Sequence, residues 1–208
     1  MITVALPKGR IAEDTLEIFK KIFTQEFSFE SRKLILEQHG FRFLLVRNQD
    51  VPTYVENGAA DIGFSGEDTL REQGARVTKL LDLGTGKCDV VVGMKVGKKL
   101  DPKKPETVIA TKMVNIAKEY FDSKGMSVKI LKLYGSIELA PLVDLCDAVV
   151  DIVETGTTMK ENGLEPVEKI MESSVKMFAN RDSFIEKRKE ILQLKEQINQ
   201  VIKEDTPS

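Results

Sequence analysis

Tryptophan is absent from this 208-residue chain, and histidine occurs once, at His39. A Ser-His-Asp hydrolase or a histidine-rich metal site would therefore rest on His39 alone. That residue sits between Gln38 and Gly40, near an expected turn, where a surface or capping role suits it better. Cysteine is scarce too. Cys88 and Cys146 are far apart and neither belongs to a CxxC pair, so they read as small buried apolar residues, not as a disulfide or a metal pair. No apolar run approaches the ~18 residues needed to span a membrane. The apolar stretch at the N-terminus is too short for a secretory signal. Together these imply a cytoplasmic location and no membrane attachment. An excess of one charge is also missing: 31 basic against 33 acidic residues give a net charge of -2 at pH 7. A general nucleic-acid binder would be basic. A small anionic ligand held by a local cluster remains compatible.

What is present fits a folded chain. Apolar residues make up 41% and charged residues 31%, unlike a disordered segment. The length allows between one and two domains of roughly 150 residues. Residues 2–6 read as a buried strand, broken by Pro7-Lys8-Gly9-Arg10. Residues 11–23 have helical spacing through Ile11, Thr15, Ile18, Phe19 and Ile22. Further strands are expected at 41–46, 60–64, 77–83 and 89–96, with a short helix started by Asp50-Val51-Pro52 and another after Ser65-Gly66-Glu67-Asp68. The second half repeats the alternation: strands at 107–110, 128–133 and 148–153, a helix over 112–123 closed by Gly125, and a short helix from 136. Strands alternating with helices predict an α/β fold with mostly parallel sheets. Two halves of this size predict two lobes with a cleft between them.

All 14 glycines lie at or before Gly163. Beyond it the chain is charge-rich. Ser183-Phe184-Ile185-Glu186 fits a capping box, and Ile191, Leu194, Ile198, Val201 and Ile202 form one apolar stripe. The stripe either docks on its own domain or contacts another subunit. Residues 164–180 are ambiguous, since Pro166 can open a helix while Val175-Lys176-Met177 alternates like a strand.

Ligands in open parallel sheets sit beyond the C-terminal ends of strands, so the turns there are the places to look for chemistry. Residues 146–158 form an apolar strand ending in Asp151 and Glu154, then the loop Thr155-Gly156-Thr157-Thr158 before a helix start. Backbone N–H groups, hydroxyls and a helix dipole can surround a phosphate there, and the two acids can hold sugar hydroxyls or, through water, a magnesium ion. Carboxylates repel an anion unless hydroxyls or a cation intervene, a combination typical of a phosphorylated sugar. The alternative is an ordinary turn capped by Thr155 or Thr157. Lys8 and Arg10 flank Gly9 at a helix entrance, which is unfavourable on dipole grounds unless an anion binds; otherwise they are solvated. Arg47 ends a strand and either grips a phosphate bidentately or pairs with Asp50 or Asp68. Gly63, Ser65 and Asp68 lie in a segment where small residues let a planar ligand approach, or which is simply a tight turn with an N-cap. Glu138, in a first helical turn, faces either solvent or the cleft.

In combination, ALPKGR at the start, RNQDVPTYVENGAADIGFSGEDTL, IATK at 109–112 and YGSIELAPLVDLCDAVVDIVETGTTMKENGL resemble the ATP phosphoribosyltransferase family of histidine biosynthesis, in order over residues 1 to about 180. The resemblance implies transfer of the 5-phosphoribosyl group of phosphoribosyl pyrophosphate (PRPP) to N1 of ATP, with magnesium required and no metal ligand assigned to the chain. It implies two α/β lobes like type II periplasmic binding proteins: residues 1–88 with 176–208 in one, and 89–175 with the PRPP phosphate loop in the other. Residues 164–180 would be the return crossing. It assigns Lys8, Arg10 and Arg47 to the departing pyrophosphate, and Asp151, Glu154, Thr155, Gly156, Thr157 and Thr158 to PRPP. Gly63, Ser65, Asp68 and Glu138 go to ATP. Long members continue into a histidine-binding regulatory domain. This chain resembles the short form, which implies a separate regulatory subunit related to the catalytic core of histidyl-tRNA synthetase, in a hetero-octamer. The rival from another class is a solute-binding module of the same shape, which would usually carry an export signal and has no need of a phosphate loop beside paired acids. A ligand-sensing domain is a weaker third.

Overall fold

A computed structural model of the chain describes residues 1–30 and 32–205. In chain order the first elements are β1 (Ile2–Pro7), α1 (Arg10–Phe23), β2 (Ile35–Gln38), β3 (Phe41–Val46), α2 (Val51–Glu56), β4 (Ile62–Gly66), α3 (Glu67–Gln73) and β5 (Thr78–Asp82). Next come β6 (Cys88–Lys95), β7 (Thr107–Thr111), α4 (Val114–Ser123), β8 (Val128–Lys132), α5 (Leu139–Leu142), β9 (Ala148–Val153), α6 (Thr157–Glu161) and β10 (Leu164–Ser173). The chain ends with β11 (Val175–Ala179), α7 (Arg181–Glu186) and α8 (Arg188–Asp205). Two compact units result: Met1–Gly86 with the residues from Ser174 onward, and Lys87–Ser173.

The first unit holds a six-stranded sheet in the order β2-β3-β1-β4-β11-β5. β1 runs parallel to both neighbours, β3 and β4. The chain leaves β1 through α1 to reach β3, then passes through α2 to the far side of β1. Side-chain alternation sends Val4 and Leu6 to the α1 face, with Phe19, Phe43, Ile62 and Phe64, and Ala5 to the α2 face, with Val51, Val55 and Phe178. On the α1 side, five of the ten phenylalanines cluster. The Phe19 ring lies 5.1 Å from those of Phe41 and Phe43, nearly perpendicular to both, the edge-to-face arrangement aromatic quadrupoles favour. On the α2 side Gly63 is what lets the helix come close: a Cβ there would stand 2.7 Å from Val55 Cγ2 and 3.1 Å from the Phe178 ring.

The second unit repeats the plan. Its five strands run β10-β6-β9-β7-β8, and β7 is parallel to β8 and β9 on either side. α4 covers one face, with Ile109, Ile116, Phe121 and Val150. α5 and α6 cover the other, with Ala110, Ile137, Val149 and Met159. In both units the order of strands reverses about the central parallel strand, which makes its C-terminal end the topological switch point.

Several expectations are corrected. The sheets are mixed, not mostly parallel: β2, β5, β6, β10 and β11 pair antiparallel, because no crossover helix joins them to their neighbours in the sheet. The ambiguous residues 164–180 are two strands, β10 and β11. Pro166 is tolerated because β10 is an edge strand with irregular register beside it. β2 was not expected at all. The capping box at Ser183 is not formed. Asn180 caps α7 instead, its Oδ1 accepting from the N–H groups of Asp182 and Ser183 at 3.0 and 2.9 Å. The Asn180 amide is already anchored by donating to the carbonyl oxygens of Val55 and Glu56, so its carbonyl is held in place to cap. The apolar stripe of α8 docks at home: Ile191, Leu194 and Ile198 are buried in the core that α1 shares, and Lys21 pairs with Asp205 at 2.7 Å. Cys146 is buried and Cys88 half-buried, and neither is joined in a disulfide among the described residues.

Candidate active site

The loops beyond the parallel strands converge within each unit. In the first, the Lys8 N–H donates to the carbonyl of Val46 at 3.0 Å, which joins the turn after β1 to the turn after β3. Asn48 in that second turn donates to Thr69 Oγ1 at 3.0 Å, and Thr69 reaches Asp68 at 3.4 Å. Lys8-Gly9-Arg10, residues 47–50 and the start of α3 thus form one rim. Lys8, Arg10 and Arg47 are exposed on it. Arg47 makes no ion pair with Asp50 or Asp68 among the described residues. Asp68 is buried in the first turn of α3. Ser65 is fully buried, and its hydroxyl has no hydrogen-bond partner among the described residues. Gly63 is buried beneath α2, where its role is the close packing described above.

The second unit builds its rim from the ends of β7, β8 and β9. Leu133 N–H donates to the Thr111 carbonyl at 3.0 Å, extending the β8 edge. The Thr111 hydroxyl, fully buried, donates to the Val150 carbonyl at 2.7 Å and accepts from the Met113 N–H at 2.9 Å. The start of α4 is thereby pinned to the end of β9. Asp151, the next residue on β9, is 9% exposed, and its Oδ1 accepts from its neighbour's N–H, Ile152, at 2.8 Å. Beyond it the chain turns through Gly156 at φ 78°, a left-handed conformation that glycine adopts without strain. The hydroxyls of Thr155 and Thr157 face each other at 2.9 Å. Thr155, Thr157, Thr158 and Glu154 are exposed. Glu138 is half-buried at the N-cap of α5 rather than inside its first turn.

The structure therefore sets Lys8, Arg10, Arg47, Gly63, Ser65 and Asp68 in the first unit, and Glu138 with residues 151–158 in the second. Two points differ from the sequence reading. α6 is only five residues long, so its dipole adds little, and hydroxyls and backbone N–H groups carry any anion binding at the loop. Lys112 was not singled out. Its ammonium lies 3.5 Å from Asp151 Oδ1. A cation placed directly after a buried strand and before a helix was the available signal. Among the described residues, no group of three or more His, Cys, Asp or Glu side chains can hold a metal.

A two-unit α/β protein with a fold like that of periplasmic binding proteins, with a threonine–glycine loop at one switch point and a basic rim at the other, is the type of molecule these features define. The E. coli periplasmic aliphatic sulphonate binding protein SsuA shares the fold at a TM-score of 0.63 and 10% identity, over 97% of this chain and 72% of that one. Sequence relatives are more specific. The family described as HisG: ATP phosphoribosyltransferase matches residues 47–200. A protein named ATP phosphoribosyltransferase from Campylobacter curvus is 62% identical over 97% of this chain and 98% of its own length. Its counterpart from Sulfurimonas denitrificans is 61% identical over 97% of both. A chain of the ATP phosphoribosyl transferase (HisG:HisZ) complex from Thermotoga maritima has a TM-score of 0.89 and 36% identity, over 99% of this chain and all of that one. The chain belongs to the ATP phosphoribosyltransferase family. It transfers the 5-phosphoribosyl group of PRPP to N1 of ATP, releasing pyrophosphate, in the first step of histidine biosynthesis.

Proposed function

We propose that the loop after β9 holds the 5′-phosphate of PRPP, with the rim of the first unit serving the leaving pyrophosphate. The observation that carries this reading is the pair of facing hydroxyls, Thr155 and Thr157, around a left-handed glycine at the end of a strand that carries Asp151. Hydroxyls and N–H groups from 155–158 solvate the phosphate. Asp151 and Glu154 accept from ribose hydroxyls and favour positive charge on the ring. Lys8, Arg10 and Arg47 offset charge on the departing diphosphate. Gly63, Ser65, Asp68 and Glu138 form the ATP side, Gly63 by letting α2 pack and not by contact.

The chemistry asks little of the protein as a base. Adenine N1 brings its own lone pair. As the bond from ribose C1 to pyrophosphate breaks, the electron pair leaves with pyrophosphate, and N1 bonds to C1. Positive charge grows on the ribose and negative charge on the leaving group. A chain with one histidine and no triad can run this reaction. Magnesium, bound chiefly by substrate phosphates and water, would neutralise part of the diphosphate charge.

The enzyme works, on this reading, in the cytoplasm with a separate regulatory subunit in a hetero-octamer. The likeness to a chain from the HisG:HisZ complex supports the partner. No described helix is long and apolar enough to cross a membrane. The test is pyrophosphate release from PRPP, ATP and magnesium with pyrophosphatase present, for the chain alone and with its partner. Release with ATP and not with GTP is expected. No release in either form overturns the assignment.

A further inference from the structure

The phosphate loop has a charge problem. Residues 153–159 contain no cation, Asp151 and Glu154 place two carboxylates beside it, and α6 is too short to contribute a useful dipole. A phosphate dianion would meet net negative charge. The second unit itself contains the remedy. We propose that Lys112 is a ligand-binding residue of the phosphoribosyl subsite, its ammonium held beside Asp151 and donating to the 5′-phosphate. The inference rests on the assignment of the loop after β9 to that phosphate.

Position comes from the sheet. Thr111 is aligned with Val150 on one side and Lys132 on the other, so Lys112 is the first residue past the central strand, at the switch point. Its place is fixed by Thr111, whose buried hydroxyl bonds to both β9 and the Met113 N–H. The backbone that carries Lys112 is therefore held on both sides by buried hydrogen bonds. The 3.5 Å approach to Asp151 is an ion pair without a tight hydrogen bond. The Asp151 carboxylate holds the ammonium close. The ammonium has three N–H donors, and among the described residues none is committed to a short bond, so they stay available to a ligand. Its side chain is 37% exposed, against 12% for that of Asp151, so the cation is the more accessible of the two. Lys132, the next cation at this end of the sheet, is turned onto the Tyr134 ring at 5.5 Å and serves as a control.

The test uses the full chain and ribose 5-phosphate as probe, with binding followed by calorimetry and then the PRPP and ATP KM values measured with the partner present. Lys112→Met should weaken ribose 5-phosphate binding at least tenfold and raise the PRPP KM similarly, leaving the ATP KM within twofold. Lys112→Arg should recover part of the loss, and Lys132→Met should change neither. If Lys112→Met binds the probe like the wild type while Thr157→Leu has lost it, the loop assignment stands and the role of Lys112 is overturned. If Thr157→Leu also binds normally, the loop assignment falls first. Equal losses in Lys112→Met and Lys132→Met would reduce the effect to the general field of the unit and overturn the specific contact.

Discussion

Lys187 donates to both carboxylate oxygens of Asp61 at 2.8 Å, and Asp61 Oδ2 also accepts from the Thr3 N–H at 2.8 Å. One carboxylate thus ties the starts of β1 and β4 to the junction of α7 and α8. The residue is 7% exposed. Burial pushes its pKa up, but the hydrogen bonds from Lys187, Thr3 and Ser183 and the lysine charge outweigh it and hold the carboxyl below its ordinary value. A depressed folded-state pKa stabilises the fold fully above the ordinary aspartate range. That contribution is lost as pH falls through the folded-state value. Lys187→Met should remove the largest compensation, cost about 2 kcal/mol at neutral pH, and move the acid-unfolding midpoint upward. Circular dichroism against pH measures it, and an unchanged midpoint would show that the pair does not govern acid stability.

Gly63 makes a separate prediction. A methyl group there meets Val55, Val51 and Phe178 at 2.7 to 3.1 Å. Those atoms belong to packed, fully buried side chains. Gly63→Ala should therefore destabilise by about 1–3 kcal/mol, visible as a lower urea midpoint with unchanged slope. A gain in stability would mean that α2 can shift outward freely.

How far the sequence could be read follows from where each signal lies. β3 and β9 match their expected bounds because each is a dense apolar run closed by turn residues. β2 escaped notice because only Leu36 of its four residues is buried, too little for a period to emerge. β10 was obscured by Pro166 and its charges, which only an edge strand tolerates. The threonine–glycine loop was legible because its features are contiguous. Lys112 was not, because its meaning depends on register with a strand some 39 residues away, which no local pattern encodes. Likewise Ser183 looks like a cap until Asn180 is seen anchored to α2.

Ser65 separates stability from function. Its hydroxyl is buried without a partner among the described residues, a condition that costs free energy. Ser65→Ala should raise the unfolding temperature of the free protein, equivalent to about 1 kcal/mol. If Ser65 belongs to the ATP side, the same variant should raise the ATP KM several-fold while ribose 5-phosphate binding stays constant. A raised melting temperature with unchanged ATP KM would remove Ser65 from that side.

Arg47 tests the division of labour between the two rims. It is exposed at the N-cap of a short 3-10 turn, Asn48–Asp50, without an ion pair among the described residues. Its loss should therefore cost little stability. Its assigned task is the diphosphate, which ribose 5-phosphate lacks. Arg47→Met should lower kcat/KM for PRPP by about a hundredfold, the order expected for one preorganised donor to a developing charge. Binding of ribose 5-phosphate should remain at the wild-type level. Arg47→Lys should recover only part of the rate, because an ammonium cannot reproduce a bidentate fork. Loss of ribose 5-phosphate binding in Arg47→Met would instead place this arginine at the 5′-phosphate and reverse the assignment of the two rims.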